Sequence, residues 1–200
     1  MILTGIGSRE TPQNILNLMT QIGQKFARAG WTLRSGGANG ADSAFEKGFK
    51  EAGGKIEIYL PWKKFNNNFS TNYDPPSIAF TLAEQLHPAW SVCSQGAKRL
   101  HARNCQQILG QNLDSPTNLV ICWTKAGGLT GGTATAIKLA KQYGIRVINL
   151  FETNWTSDLE EELLNIGQIE PDTGIGISYD ENERSDEDPN GLEIDELREW

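Results

Sequence analysis

Apolar positions along the chain follow two periods in turn. Short β-branched runs fall at Ile2-Leu3 within Met1 to Gly5, at Trp31 to Arg34, at Lys55 to Leu60, at Leu119 to Trp123 and at Arg146 to Leu150. Their length and polar boundaries predict five strands. Between them the spacing is helical. Ile15, Leu18, Met19, Ile22 and Phe26 mark the inward stripe of a helix that opens at Thr11-Pro12 and closes at Gly30. Thr11 is expected to cap it, with Pro12 in its first position. A second helix opens at Asp42 or Ser43 and holds Ala44, Phe45 and Phe49. Further helices are predicted over Ser77 to Leu86, over Gly96 to Leu109 with Leu100, Ile108 and Leu109 inward, over Ala134 to Tyr143 and over Trp155 to Ile166. Strands alternating with helices imply an α/β fold whose mainly parallel sheet is covered on both faces.

Three strands run directly into glycine-rich loops. The first is Gly5-Ile6-Gly7-Ser8-Arg9, and the second is Ser35-Gly36-Gly37-Ala38-Asn39-Gly40-Ala41-Asp42. The third places Gly127, Gly128, Gly131 and Gly132 around Thr130 and Thr133. Glycine lets backbone approach a ligand closely, and the free N–H groups of a first helical turn point at it. In parallel sheets ligands bind outside the carboxyl ends of the strands. The three loops are therefore expected to converge there on a phosphate-bearing ligand. Ser8 and Arg9 suit a phosphate or carboxylate, or else form a solvated turn. Asp42 either accepts from a ribose hydroxyl or amine, or caps its helix. Lys98, Arg99, His101, Arg103 and Asn104 crowd the first half of one helix, where the dipole disfavours cations. A bound anion relieves that conflict; the alternative is a solvated basic face. The stretch Trp62 to Pro76 reads as a long aromatic, asparagine-rich loop. Its Phe65, Phe69 and Tyr73 either stack on a base or, as we slightly prefer, pack over the sheet edge.

Composition narrows the partners. The chain has 200 residues, a net charge of −7 and 38% hydrophobic residues, and its mean hydropathy is −0.44. Residues 180–200 hold ten acidic residues against two arginines, which leaves a net charge of +1 on residues 1–179. We expect a nucleotide-binding domain over residues 1–170 and an acidic C-terminal tail over residues 171–200. In that tail, Leu192, Ile194, Leu197 and Trp200 suit a short docking helix. A nearly neutral body gives little long-range attraction to nucleic acid. No run suits a membrane span, and MILTGIGSRE shows no signal peptide, so a cytoplasmic protein is expected. The three cysteines, Cys93, Cys105 and Cys122, lack CxxC spacing, and there are two histidines, His87 and His101. From that spacing we expect no structural zinc site, no other metal and no cofactor.

Four segments in order resemble the SLOG superfamily, which joins the DNA-processing protein A (Smf) family with the "lonely guy" phosphoribohydrolases. They are GSR at 7–9, SGGANGAD at 35–42, LHARN at 100–104 and GGLTGGT at 127–133. The resemblance covers roughly residues 1–150. It implies a Rossmann-like three-layer sandwich, usually oligomeric, with a nucleotide or nucleic acid at the strand ends. Related domains sense ADP-ribose-type signals in bacterial antiviral systems such as Thoeris. The phosphoribohydrolases carry PGGxGTxxE, whose glutamate acts in cleavage of the N-glycosidic bond. Their arginine matches Arg103, but Thr135 or Ala136 stands where carboxylates are expected. An oxocarbenium-like centre without a carboxylate lacks its main stabiliser.

The leading expectation is therefore binding without catalysis of a nucleotide, an ADP-ribose derivative or a cyclic nucleotide signal. The pocket would be formed by Gly7, Ser8, Arg9, Gly36, Gly37, Asn39, Asp42, His101, Arg103, Asn104, Gly128, Thr130, Gly131, Gly132 and Thr133. Small size, a missing acid and a retained phosphate cradle suggest a sponge for an immune signal, as in a phage anti-defence protein working in the host cytoplasm. One alternative is a nucleoside monophosphate phosphoribohydrolase using Asp42 or Glu46. The other is a single-stranded DNA binder of the DNA-processing type.

Overall fold

The first apolar run of the chain becomes the interior of the sheet. Strand β1, Ile2–Gly7, lies between β2, Thr32–Ser35, and β5, Leu119–Trp123. Strands β3, Lys55–Leu60, and β4, Asn72–Tyr73, extend the sheet beyond β2, and β6, Arg146–Asn149, extends it beyond β5. The six-stranded order is β4-β3-β2-β1-β5-β6 and every pair is parallel. Leu3 sits opposite Leu119 and Gly7 opposite Trp123. All five residues of β5 are buried, as befits a parallel strand covered on both faces. The computed structural model describes residues 1–128 and 131–168. The acidic tail and its proposed docking helix lie outside these residues.

Helices α1, Gln13–Arg28, α2, Ala41–Glu51, and α6, Trp155–Asn165, share one core with Leu3, Leu33, Ile121 and Ile148. The predicted stripe of α1 is buried from Ile15 to Phe26. The opposite core joins Ile6, Val120 and Cys122 to α3, Ser77–Leu86, α4, Gln95–Leu109, and α5, Gly131–Gln142. The result is the expected Rossmann-like α/β sandwich. Phe26, Phe45 and Phe49 are fully buried, and truncating any of them is expected to cost about 3–5 kcal/mol.

Several local expectations change. The 62–76 stretch is not all loop: Phe65–Asn67 forms a 3₁₀ turn, and β4 pairs Asn72 with Tyr59 and Tyr73 with Leu60. Tyr73 thus joins the sheet edge, Phe65 packs edge-on against Trp62 at 5.1 Å, and Phe69 is exposed. Thr11 does not cap α1; its hydroxyl donates to the Ser8 carbonyl at 2.7 Å, and Pro12 stands at the cap position. Thr11 therefore stands one residue before the cap position, with its hydroxyl turned to the preceding loop. Helix α5 begins at Gly131, three residues earlier than predicted. No helix among the described residues is long and apolar enough to cross a membrane.

Candidate functional site

In the sheet order the connections run outward from β1 in one direction and from β5 in the other. The topological switch point therefore lies between β1 and β5, where open α/β sheets bind ligands. The GSR segment follows β1 and the GGLTGGT segment follows β5, so they flank that point. SGGANGAD follows β2, the neighbour of β1.

The loops touch one another. Ser8 donates its N–H to the Trp123 carbonyl at 3.3 Å, which joins the first loop to the end of β5. Gly40 joins the first loop to the second. Its φ of 82° is left-handed, and a Cβ there would stand 2.8 Å from both the Arg9 Cα and the Ser8 carbonyl oxygen. Only glycine fits both demands. Asn39 and Arg9 are exposed on these loops, and Gly7 and Ser8 are half-buried.

Helix α4 fastens the second and third loops. Arg103 is buried, and its Nη1 donates to Asp42 Oδ2 at 3.2 Å and to Gln107 Oε1 at 3.1 Å. The same Asp42 oxygen accepts from the backbone N–H of Gly36 at 3.2 Å and of Ala38 at 3.3 Å. Asp42 therefore does not cap its own helix, whose cap position is Gly40. It folds the glycine loop back onto the helix start. A Cβ on Gly36 would overlap the Arg103 guanidinium. One residue on, Asn104 Nδ2 donates to the Gly132 carbonyl at 2.8 Å, holding the start of α5. Gly37 accepts from Asn66 Nδ2 at 3.1 Å and packs beside Leu60, under the 62–76 segment.

Within the basic cluster on α4, Arg99 is exposed, but His101 and Arg103 are neither on a solvated face nor at the helix start. The helix begins at Gln95, with Ser94 accepting the Ala97 N–H as its cap. His101 and Arg103 thus lie beyond the first turn, where the dipole no longer acts strongly. Arg103 is neutralised by Asp42, and exposed Arg99 pairs with Asp74. Burial pushes the Asp42 carboxyl up to about 6; Arg103 opposes the rise and Glu46 adds to it. Burial likewise lowers Arg103, against the pull of Asp42. Among the described residues, Arg103 Nε and Gln107 Nε2 are buried without a hydrogen-bond partner. Glu46 is also buried and accepts from the Ser35 hydroxyl at 2.7 Å.

His101 belongs to a different neighbourhood. Its Nδ1 lies 2.8 Å from the Thr135 hydroxyl. Its ring stands edge-on to His87 at 4.4 Å and to Trp90 at 6.3 Å. Burial takes its pKa down to about 4, with His87 and then Arg103 adding to the effect, so the ring is neutral near pH 7. His87, Cys93 and His101 bring their donor atoms within 4.8 Å of one another.

Gly128, Gly131, Gly132 and Thr133 sit at the surface or half-buried at the end of β5. Thr130 lies outside the described residues. Sequence reasoning missed Gln107, Thr124 and Asn149. Asn149, on β6, donates to the Thr124 hydroxyl at 2.9 Å and accepts the Thr124 N–H at 3.3 Å, anchoring the root of the third loop. A polar residue ending a β-branched run, or placed four after an arginine on an apolar helix face, was the available signal.

Residues 1–79 match the family described as SLOG cluster4. No curated protein matches the chain. Among solved structures, the molybdenum cofactor carrier protein of Chlamydomonas reinhardtii is similar over 82% of this chain and 83% of its own, at 22% identity and a TM-score of 0.46. DNA processing protein A of Helicobacter pylori, described for its single-stranded DNA binding mode, is similar over 85% of this chain and 74% of its own, at 18% identity and a TM-score of 0.49. For DNA processing protein A of Streptococcus pneumoniae the figures are 83% and 56%, 18% identity and a TM-score of 0.49. The family match over residues 1–79 takes in the GSR and SGGANGAD motifs, and the resemblance read from the sequence is borne out there.

Proposed function

We propose that the chain binds a nucleotide-derived small molecule at the carboxyl edge of its sheet and does not transform it. The observation that carries this reading is the tie between the loops. Gly40 against Ser8 and Arg9, Asp42 with Arg103 at Gly36, and Asn104 with Gly132 hold all four motifs together around the switch point. Backbone preorganised in this way binds anions without an ordering cost at the moment of binding. Ser8, Arg9, Asn39, Gly128 and Gly131 to Thr133 face the ligand in this proposal. Gly7, Gly36, Gly37, Asp42, Arg103 and Asn104 shape the cradle, and His101 forms its flank through Thr135.

The hydrolase alternative requires Asp42 or Glu46 to reach a glycosidic bond. Both are buried and already bonded inside the fold, which favours binding over cleavage. In the finer form of the proposal the protein sequesters an ADP-ribose-type or cyclic nucleotide signal, as a phage anti-defence protein would.

Native mass spectrometry of the protein taken directly from cells, with and without an active nucleotide-signalling defence system, tests this. A retained molecule of nucleotide mass is expected, and the same spectrum gives the oligomer. Calorimetry with nucleoside monophosphates, ADP-ribose and cyclic dinucleotides follows. Binding no tighter than about millimolar for all of them, the scale of weak contacts, overturns the proposal, as does release of free base.

A further inference from the structure

Three side chains with metal-ligating atoms meet on the flank of the cradle, behind Thr135. They come from three separate places in the fold: His87 at the end of α3, Cys93 after a 3₁₀ turn at Trp90–Val92, and His101 inside α4. We propose that His87, Cys93 and His101 bind one thiophilic divalent ion of the zinc class. This site shares His101 with the nucleotide reading, but its test reads the metal alone, so either can fail without the other.

The spacing of Cys93 and His87 already suits an ion. Cys93 Sγ lies 3.7 Å from His87 Nδ1 and 4.0 Å from its Nε2. Tetrahedral zinc, with Zn–S ≈ 2.3 Å and Zn–N ≈ 2.0–2.1 Å, places sulfur and nitrogen about 3.6 Å apart. The Nδ1 of His87 is therefore the fitting ligand atom. Its present bond from the Ala89 N–H is long, at 3.3 Å. Cys93 Sγ also lies 3.5 Å from the backbone carbonyl of Ala89.

The second feature is the orientation of His101. Its ring is buried, with Nδ1 fixed on the Thr135 hydroxyl at 2.8 Å. A ring nitrogen that donates to an outer partner leaves the other as a ligand with a defined tautomer, the usual arrangement around a metal-bound histidine. Nε2 is then the ligand atom. Trp90 stands edge-on or tilted beside both imidazoles, at 6.4 Å from His87 and 6.3 Å from His101.

The donor set decides the class of ion. One thiolate and two imidazoles suit zinc and exclude the oxygen-seeking magnesium and calcium. Binding takes the proton from the Cys93 thiol, releases it to solvent and forms a Zn–S bond. Three protein ligands leave a fourth position for water or an exogenous donor, as in sites where the ion exchanges ligands rather than only staples the fold.

Cobalt is a direct probe. The full chain, stripped with a chelator and reduced, is titrated with Co²⁺ and then with Zn²⁺. We expect one equivalent of Co²⁺ to give tetrahedral d–d absorption and a thiolate charge-transfer band, both abolished by one equivalent of Zn²⁺ with a Kd of about micromolar or tighter. Cys93→Ser should remove the charge-transfer band, and His87→Ala should weaken Zn²⁺ about 100-fold. Both residues are partly exposed, and circular dichroism checks that the variants fold. Thr135→Val should weaken binding about 10- to 100-fold while leaving the ligands in place. Binding well below one equivalent, absence of the charge-transfer band, or affinity unchanged in Cys93→Ser overturns the site.

Discussion

Arg103 and Asp42 stand 61 positions apart in the chain and meet as a buried ion pair, Nη1 to Oδ2 at 3.2 Å. Through that one oxygen, Asp42 also holds the N–H groups of Gly36 and Ala38. Removing the carboxylate strands a buried guanidinium. Asp42→Ala is therefore expected to lower stability by about 3–5 kcal/mol, read from the urea midpoint. The double variant Asp42→Ala/Arg103→Met should recover part of that loss, because both charges are gone. A double variant less stable than Asp42→Ala would contradict this account.

Gly36→Ala probes the same contact from the other side. The new methyl occupies the volume of the Arg103 guanidinium, so the ion pair must open. A loss of about 2 kcal/mol or more is expected, within the range for overpacking a filled interior. Thermal denaturation measures it. A loss under about 0.5 kcal/mol would mean that Arg103 has a second place to go.

Asn104→Ala separates the cradle from the fold. The side chain makes one described bond, to the Gly132 carbonyl. Its loss should cost about 1 kcal/mol in stability. Affinity for the nucleotide ligand should fall about tenfold, because the start of α5 is no longer held. Calorimetry on the ligand found by mass spectrometry reads both the affinity and its enthalpy.

The pH dependence has a definite sign. Asp42 titrates at about 6 in the fold because burial disfavours its charge, against an ordinary value of 3.8. Between those values the folded protein keeps a proton that the unfolded chain has released. The contribution is fully present below pH 3.8 and is lost as pH rises through 6. At ~1.4 kcal/mol for each pH unit between the two values, it amounts to about 3 kcal/mol. Wild type minus Asp42→Asn, measured by urea unfolding from pH 7 to pH 4, should shift in favour of wild type by an amount of that order. A flat difference would place the Asp42 titration near 3.8.

The hydrophobic periods revealed five strands and the six helices of the described residues, because each element repeats one burial pattern over several residues. The glycine loops were legible for the same reason: strand, glycine run and helix start are contiguous in sequence. Strand β4 was not, since Asn72 and Tyr73 carry no apolar pattern and are placed only by pairing with Tyr59 and Leu60. The roles of Asp42 and Arg103 were half legible. Their residue types suggested a polar ligand, while their pairing depends on how α4 crosses behind the second loop. The meeting of His87, Cys93 and His101 was hidden because a helix end, a turn and a helix interior share no sequence spacing.

The register of β1 has a consequence for how the chain folds. One neighbour of β1 is near in sequence, with Leu3 opposite Leu33, while the other is remote, with Leu3 opposite Leu119. During synthesis the segment through β3 can pair and cover one face with α1 and α2. The second edge of β1 and the apolar side chain of Ile6 must wait until more than half the chain has emerged. Closing that long loop is the slow, entropically costly event in such a topology. Until it closes, an unpaired central edge is open to pairing with another chain. Refolding yield should therefore fall with protein concentration, and a peptide of the β5 sequence should trap the half-built sheet.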